Sequence, residues 1–144
     1  MTTAPTTYSV TAHVSAPGHA SVDVARDVVA LDAGWATEPS GHPGPADLLA
    51  AAFAACLVKN LERSGQLLGF RYESAEVTVT ARRQDAPPRF VEVAYDLVIV
   101  TDEADRRVDL VHRNLQNYGT VYNTLAAVCD VHGTARGVRR GVMD

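Results

Sequence analysis

The sequence predicts an α+β fold in which mostly antiparallel strands and two main helices follow the order β-β-β-α-β-β-α-β. Three observations predict it. Apolar and polar residues alternate over Tyr8 to Val14 and again over Ala75 to Ala81, the period of a strand with one buried face. A long apolar stretch opened by Pro45, and a second segment from Glu103 to Tyr118, carry helical rather than strand patterning. The strands arrive in hairpin pairs separated by those helices, which is the α+β arrangement and not the strict alternation of a parallel sheet.

Each element has a local cause. Tyr8, Val10, Ala12 and Val14 form the first strand, and Val22 and Val24 lie in the second. Pro17-Gly18 between them makes a hairpin turn. Val28 to Leu31 reads as a third short strand. Ala33 to Pro45 is a loop by its Gly and Pro content, long enough to suggest a functional role. Pro45 then starts a helix, where its missing N–H costs nothing. Asp47 in the first turn favours the helix dipole, and the helix runs to about Gly65 or Leu68. Its first half is apolar on every side, which predicts burial all round. After the Pro87-Pro88 turn, Phe90 to Thr101 forms a long strand. Thr101 or Asp102 caps the second helix, whose apolar stripe is Val108, Leu110, Val111, Leu115 and Tyr118. Gly119 is its C-cap. Thr120 caps a short turn over Val121 to Leu125, and Ala126 to Val131 is the last strand.

With 144 residues, the chain reads as one domain over 1–144, with tails at 1–7 and 136–144. An apolar content of 47% and a charged content of 21% are those of a globular protein and exclude a disordered one. A net charge of −4 argues against nucleic acid as a partner. The one basic cluster, Arg136, Arg139 and Arg140, reads as a solvated tail, and Arg82-Arg83 as a solvated strand edge. The Thr-rich start lacks a basic and an apolar region, so no secretory signal is expected. Leu48 to Val58 is too short to span a bilayer. These features place the protein in the cytoplasm with no membrane partner, where two cysteines stay reduced.

Chemistry points to Cys56. Helical spacing sets Ala52 and Phe53 one turn before it and Lys59, Asn60 and Arg63 after it. Lys59 is the only lysine, and a cation one turn away favours the thiolate, the nucleophilic form. The alternative is an inert, packed thiol. Asp47 either serves the helix dipole or holds a cation near the sulfur. Cys129 falls in the last strand as a structural residue. None of His13, His19, His42, His112 and His132 stands at HxH or HExxH spacing, and CxxC is absent. No metal site and no cofactor are expected. His42 and His112 read as loop or surface residues.

The run GPADLLAAAFAAC, Gly44 to Cys56, resembles the Pro-x-(Glu/Asp)-Leu-Leu-x-Ala-Ala-x-x-Ala-Cys signature of the OsmC/Ohr family, the osmotically induced and organic hydroperoxide resistance proteins. The element order agrees over nearly the whole chain. Thr120 to Ala126, TVYNTLA, is similar to the segment after the family's second cysteine. The resemblance implies an intertwined homodimer with sites at the subunit interface and no metal or organic cofactor. It implies that Cys56 attacks the peroxide O–O bond, passes through a sulfenic acid to a disulfide, and is restored by dithiols. It further implies an arginine from the N-terminal hairpin and an acid at the helix start that support the thiolate.

This chain departs from that pattern in three places. Gly119-Thr120-Val121-Tyr122 stands where the family has Cys-Pro-Val-Ser or similar, so the second cysteine is missing. His19 occupies the hairpin arginine position, with Arg26 as a stand-in. Ala46 lies where the hydroperoxide-reducing members carry Glu, and Asp47 follows it, as in a broader OsmC-like subgroup. Two functions are therefore expected in competition. One is a one-cysteine thiol peroxidase acting on organic hydroperoxides in oxidative-stress defence, with Cys56 as nucleophile, Asp47, Lys59, Arg26 and His19 as supports, and an external thiol as reductant. The other is a homodimer that binds a small apolar ligand without turnover.

Overall fold

The computed structural model describes residues 6–35 and 38–140. Parts of the expected tails, residues 1–5 and 141–144, lie outside that set. The element order is β1 (Thr11–Ser15), β2 (His19–Val24), β3 (Asp27–Asp32), α1 (Pro45–Leu68), β4 (Ser74–Asp85), β5 (Pro88–Val100), α2 (Asp105–Tyr118), α3 (Thr120–Ala126) and β6 (Asp130–Val138). The α+β class and the expected order hold, with α3 as a short helix where a turn was expected. The chain forms two compact units divided between Leu48 and Leu49. No described helix is long and apolar enough to cross a membrane.

The first unit is the sheet β1-β2-β3, antiparallel throughout. Gly18 turns the β1–β2 hairpin with φ +72, a value that a residue with a Cβ rarely adopts. In register, Ala12, Val22 and Val29 stand opposite one another, and so do Val14, Ala20 and Leu31. The alternation thus does make one apolar face, but only Val22 on it is buried, and every residue of β1 is exposed. Pro43 accepts a hydrogen bond from the Asp32 amide at 2.9 Å, tying the loop back to β3.

The second unit holds the core. β4, β5 and β6 form a sheet in that order, β4–β5 antiparallel and β5–β6 parallel. The parallel pair departs from an all-antiparallel sheet because α2 and α3 carry the chain back between β5 and β6. Val93, Tyr95, Leu97 and Ile99 of β5 point inward onto Phe53, Leu57 and Leu61 of α1 and onto Val108, Val111 and Leu115 of α2. That stripe on α1 repeats every four residues and extends to Ser64, whose hydroxyl donates to Asn114 Oδ1 at 3.1 Å.

Several local expectations are corrected. α1 is buried along one face only, since Ala51, Ala55 and Val58 are exposed. In α2, Leu110 and Tyr118 fall outside the buried stripe. Its N-cap is Ala104, with no side-chain cap, because Thr101 is used elsewhere. The Thr101 hydroxyl donates to Arg71 O at 2.6 Å and accepts from the Glu103 amide. Gly119, not Thr120, precedes α3 as its N-cap. Pro88 is the first residue of β5, with the turn at Ala86 and Pro87. The last strand runs Asp130–Val138 instead of Ala126 to Val131. Arg136 therefore lies in β6, and Cys129 lies just before it.

Candidate active site

Cys56 sits at the middle of α1, half-buried, on the flank of the stripe that enters the core. Asn60, one turn later, fixes its side chain by donating from Nδ2 to Cys56 O at 2.9 Å. The same amide nitrogen lies 3.6 Å from Cys56 Sγ and donates to it. Held by the backbone carbonyl, that amide keeps a hydrogen-bond donor aimed at the sulfur.

The other wall of the sulfur is Gly119. Its backbone is extended, with φ −80 and ψ 122, so no glycine is needed for conformation. The need is steric. A Cβ at 119 would lie 2.9 Å from Cys56 Sγ, 3.0 Å from Tyr122 Cβ and 3.3 Å from Leu115 O. Glycine lets the α2–α3 junction pass directly over the thiol. The junction is held by the Asn123 amide donating to Gly119 O at 2.8 Å and by Asn123 Nδ2 donating to Asn117 O at 3.2 Å.

An aromatic cluster backs this wall. Phe53 meets Tyr122 at 5.5 Å and Tyr95 at 5.8 Å between ring centroids. Tyr95 in turn packs edge-on against Tyr122 and His112. The Tyr95 hydroxyl and His112 Nε2 share a hydrogen bond of 2.6 Å. Burial, reinforced by the Tyr122 phenol, pushes the Tyr95 hydroxyl pKa up. Burial pulls the His112 imidazole down, against a smaller upward pull from Asp109. His112 is thus part of a half-buried neutral pair and not the surface residue expected.

The residues expected to support the thiolate are distributed as follows. Lys59 is exposed on α1. Arg63 is turned toward α2, donating to Asn114 Oδ1 at 3.4 Å and lying 5.2 Å from the Tyr118 ring centroid. Asp47 Oδ2 accepts from the Gly44 amide at 2.9 Å, so the carboxylate caps the start of α1. His19 opens β2, opposite Asp32, and Arg26 occupies the β2–β3 turn beside Ala25, whose φ is +54. Asp47, His19 and Arg26 belong to the first unit, whereas Cys56, Asn60 and Gly119 belong to the second.

Cys129 is a free thiol at the bend before β6, donating to Leu125 O at 3.3 Å. Burial, with Asp130 next to it, raises its pKa, which makes it a poor nucleophile. A groove of about 550 Å³, lined by residues that include Arg71, Tyr72, Thr101, Glu103 and Arg140, does not include Cys56. Sequence reasoning placed Asn60 one turn after Cys56 but gave it no role. It took Gly119 as a cap, although its place at the family's second-cysteine position was the signal that it faces the sulfur.

The family profile described as OsmC-like protein matches residues 38–132. No curated protein sequence matches the chain. Solved structures do. An OsmC-like protein from Mycoplasma pneumoniae superposes with a TM-score of 0.83 at 17% identity, covering 92% of this chain and 98% of that one. An organic hydroperoxide resistance protein OsmC from Legionella pneumophila gives 0.72 at 18% identity, covering 91% and 98%. The organic hydroperoxide resistance protein of Bacillus subtilis gives 0.62 at 19%, covering 91% and 98%. Identities this low carry the fold and nothing finer.

Proposed function

The chain belongs to the OsmC-like protein family, and from that premise we propose that it is a one-cysteine thiol peroxidase that reduces organic hydroperoxides in oxidative-stress defence in the cytoplasm. The observation that carries this reading is the Cys56 sulfur, half-buried, with the Asn60 amide donating to it and a glycine in place of any side chain above it. In the reaction the Cys56 thiolate attacks the terminal peroxide oxygen. The O–O bond breaks, the alkoxide leaves and takes a proton, and sulfur becomes a sulfenic acid. An external thiol then displaces water to give a mixed disulfide, and a second thiol releases Cys56 with the disulfide of the reductant. The apolar and aromatic surroundings of Cys56 favour an organic peroxide over H₂O₂. The working form is a homodimer, as the bare apolar faces of both units suggest.

The test is consumption of cumene hydroperoxide and of H₂O₂ by the reduced protein, with a dimedone-type probe for sulfenic acid. Wild type should consume the organic peroxide and label at Cys56, and Cys56→Ser should do neither. Asn60→Asp, which removes the donor beside the sulfur, should slow consumption of the organic peroxide. Equal background rates in wild type and Cys56→Ser would end the peroxidase reading. They would leave a dimer that binds a small apolar ligand, a reading motivated by the missing second cysteine.

A further inference from the structure

The face of the second sheet turned away from the core carries a row of charged groups that the thiol chemistry does not use. Inward positions of β5 and β6, such as Val93, Tyr95, Val131 and Ala135, enter or pack against the core. Glu92, Asp130 and His132 lie on the other face by the two-residue period of a strand. Parallel register places Glu92 opposite Asp130, and His132 follows two residues later on the same face. His132 Nε2 lies 2.8 Å from Glu92 Oε2 and 3.9 Å from Asp130 Oδ2. The three ligand atoms all fall within 4.8 Å of one another.

We infer that Glu92, Asp130 and His132 form a surface site for a divalent transition metal, with Zn²⁺ the best chemical fit. One imidazole nitrogen and two carboxylate oxygens are a donor set that Zn²⁺ accepts and that hard Mg²⁺ or Ca²⁺ does not prefer. Ligands held at ~2.1 Å on a tetrahedral ion stand about 3.4 Å apart. The two edges from His132, 2.8 and 3.9 Å, straddle that value, and the Glu92–Asp130 edge lies within 4.8 Å, so rotations of exposed side chains close the site. The strand register supplies the rigidity, since all three residues hang from one hydrogen-bonded pair. The fourth position faces solvent and would hold water. Two contacts oppose binding: His132 Nε2 and Glu92 Oε2 share a hydrogen bond of 2.8 Å that the metal must replace, and Arg82 on β4 donates to Glu92 Oε1 at 3.2 Å and competes for the same carboxylate.

Sequence spacing hid this site because only Asp130 and His132 are near neighbours in the chain, at D-x-H spacing, while Glu92 comes from another strand. The experiment is calorimetric titration of the full-length reduced protein with Zn²⁺, and optical titration with Co²⁺. One saturable ion per chain is expected, with a Co²⁺ spectrum free of sulfur-to-metal charge transfer. His132→Asn and Glu92→Gln should each weaken binding by roughly 10–100-fold or more, at least the loss seen when an outer-shell partner is removed. Arg82→Ala should tighten it. Far-UV circular dichroism of each variant separates a lost site from a lost fold. Absence of saturable binding, binding unchanged in both ligand variants, or binding lost only in Cys56→Ser would each overturn the site.

Discussion

At the scale of single residues, Gly119 and His112 make opposite kinds of contribution. Gly119 acts by what it lacks. A Cβ there would stand 2.9 Å from Cys56 Sγ, close to the ~3 Å between a Cβ and the far sulfur across a disulfide with an S–S bond of ~2.04 Å. Gly119→Cys should therefore form an intramolecular disulfide with Cys56 on exposure to one equivalent of hydroperoxide. Thiol counting should then find only Cys129 free, and mass mapping should find a 56–119 link. Persistence of sulfenic acid at Cys56 in that variant would mean the junction does not sit over the sulfur. His112 acts by staying neutral. Its pKa is lowered from 6.5 by burial, so below pH 6.5 the unfolded chain takes up a proton that the folded chain refuses. Its contribution to stability is complete above pH 6.5 and is lost as pH falls toward the lowered folded value. The imidazole should titrate below 6.5 by NMR, and denaturation midpoints should depend less on acid in His112→Gln than in wild type.

At the scale of elements, β6 is set against β5 by a glycine. Gly133 pairs with Tyr95 in parallel register, and a Cβ at 133 would collide with the Tyr95 ring and carbonyl. Gly133→Ala should cost ~1–3 kcal/mol through forced displacement of a packed ring, read as a lower urea midpoint. It should also disturb the Tyr95–His112 pair. An unchanged midpoint would mean β5 and β6 are not in this register. Elements whose signal is local were legible in the sequence. Pro45 marked the start of α1, the two-residue period marked β5, and Pro17-Gly18 marked the first hairpin. β6 was misplaced because its Gly133 and Gly137 are poor strand formers taken alone. Parallel pairing and the close approach of Tyr95 hold them extended, and neither is visible in the segment itself. The cap of α2 was missed for the same reason, since Thr101 spends its hydroxyl on Arg71, distant in sequence. The run that precedes Cys56 singled it out as the candidate nucleophile, whereas its contact with Gly119 depends on how α2 and α3 meet.

At the scale of the whole molecule, the single chain leaves apolar surface that neither unit covers by itself. On the apolar face of the first sheet, Val14 is 73% and Val24 39% exposed, and Tyr8 just before β1 is 86% exposed. Three strands need one well-covered hydrophobic face to be stable in water. Here only Val22 of that face is buried. α1 shows the same imbalance: Leu49, Val58 and Leu67 are exposed on a helix whose Phe53, Leu57 and Leu61 are fully packed. A soluble chain that keeps such surface bare risks aggregation, and a two-fold pair of identical chains removes it with one self-complementary contact. Light scattering should therefore give twice the 15.4 kDa chain mass, and the unfolding midpoint should rise with protein concentration, as it does when folding and association are linked. Val14→Lys with Val24→Lys puts charge on the sheet face and should yield a less stable monomer in which amides of β1 to β3 exchange rapidly. A wild-type monomer with a concentration-independent midpoint would mean that the apolar face is covered within one chain, and the case for a homodimer would fall with it.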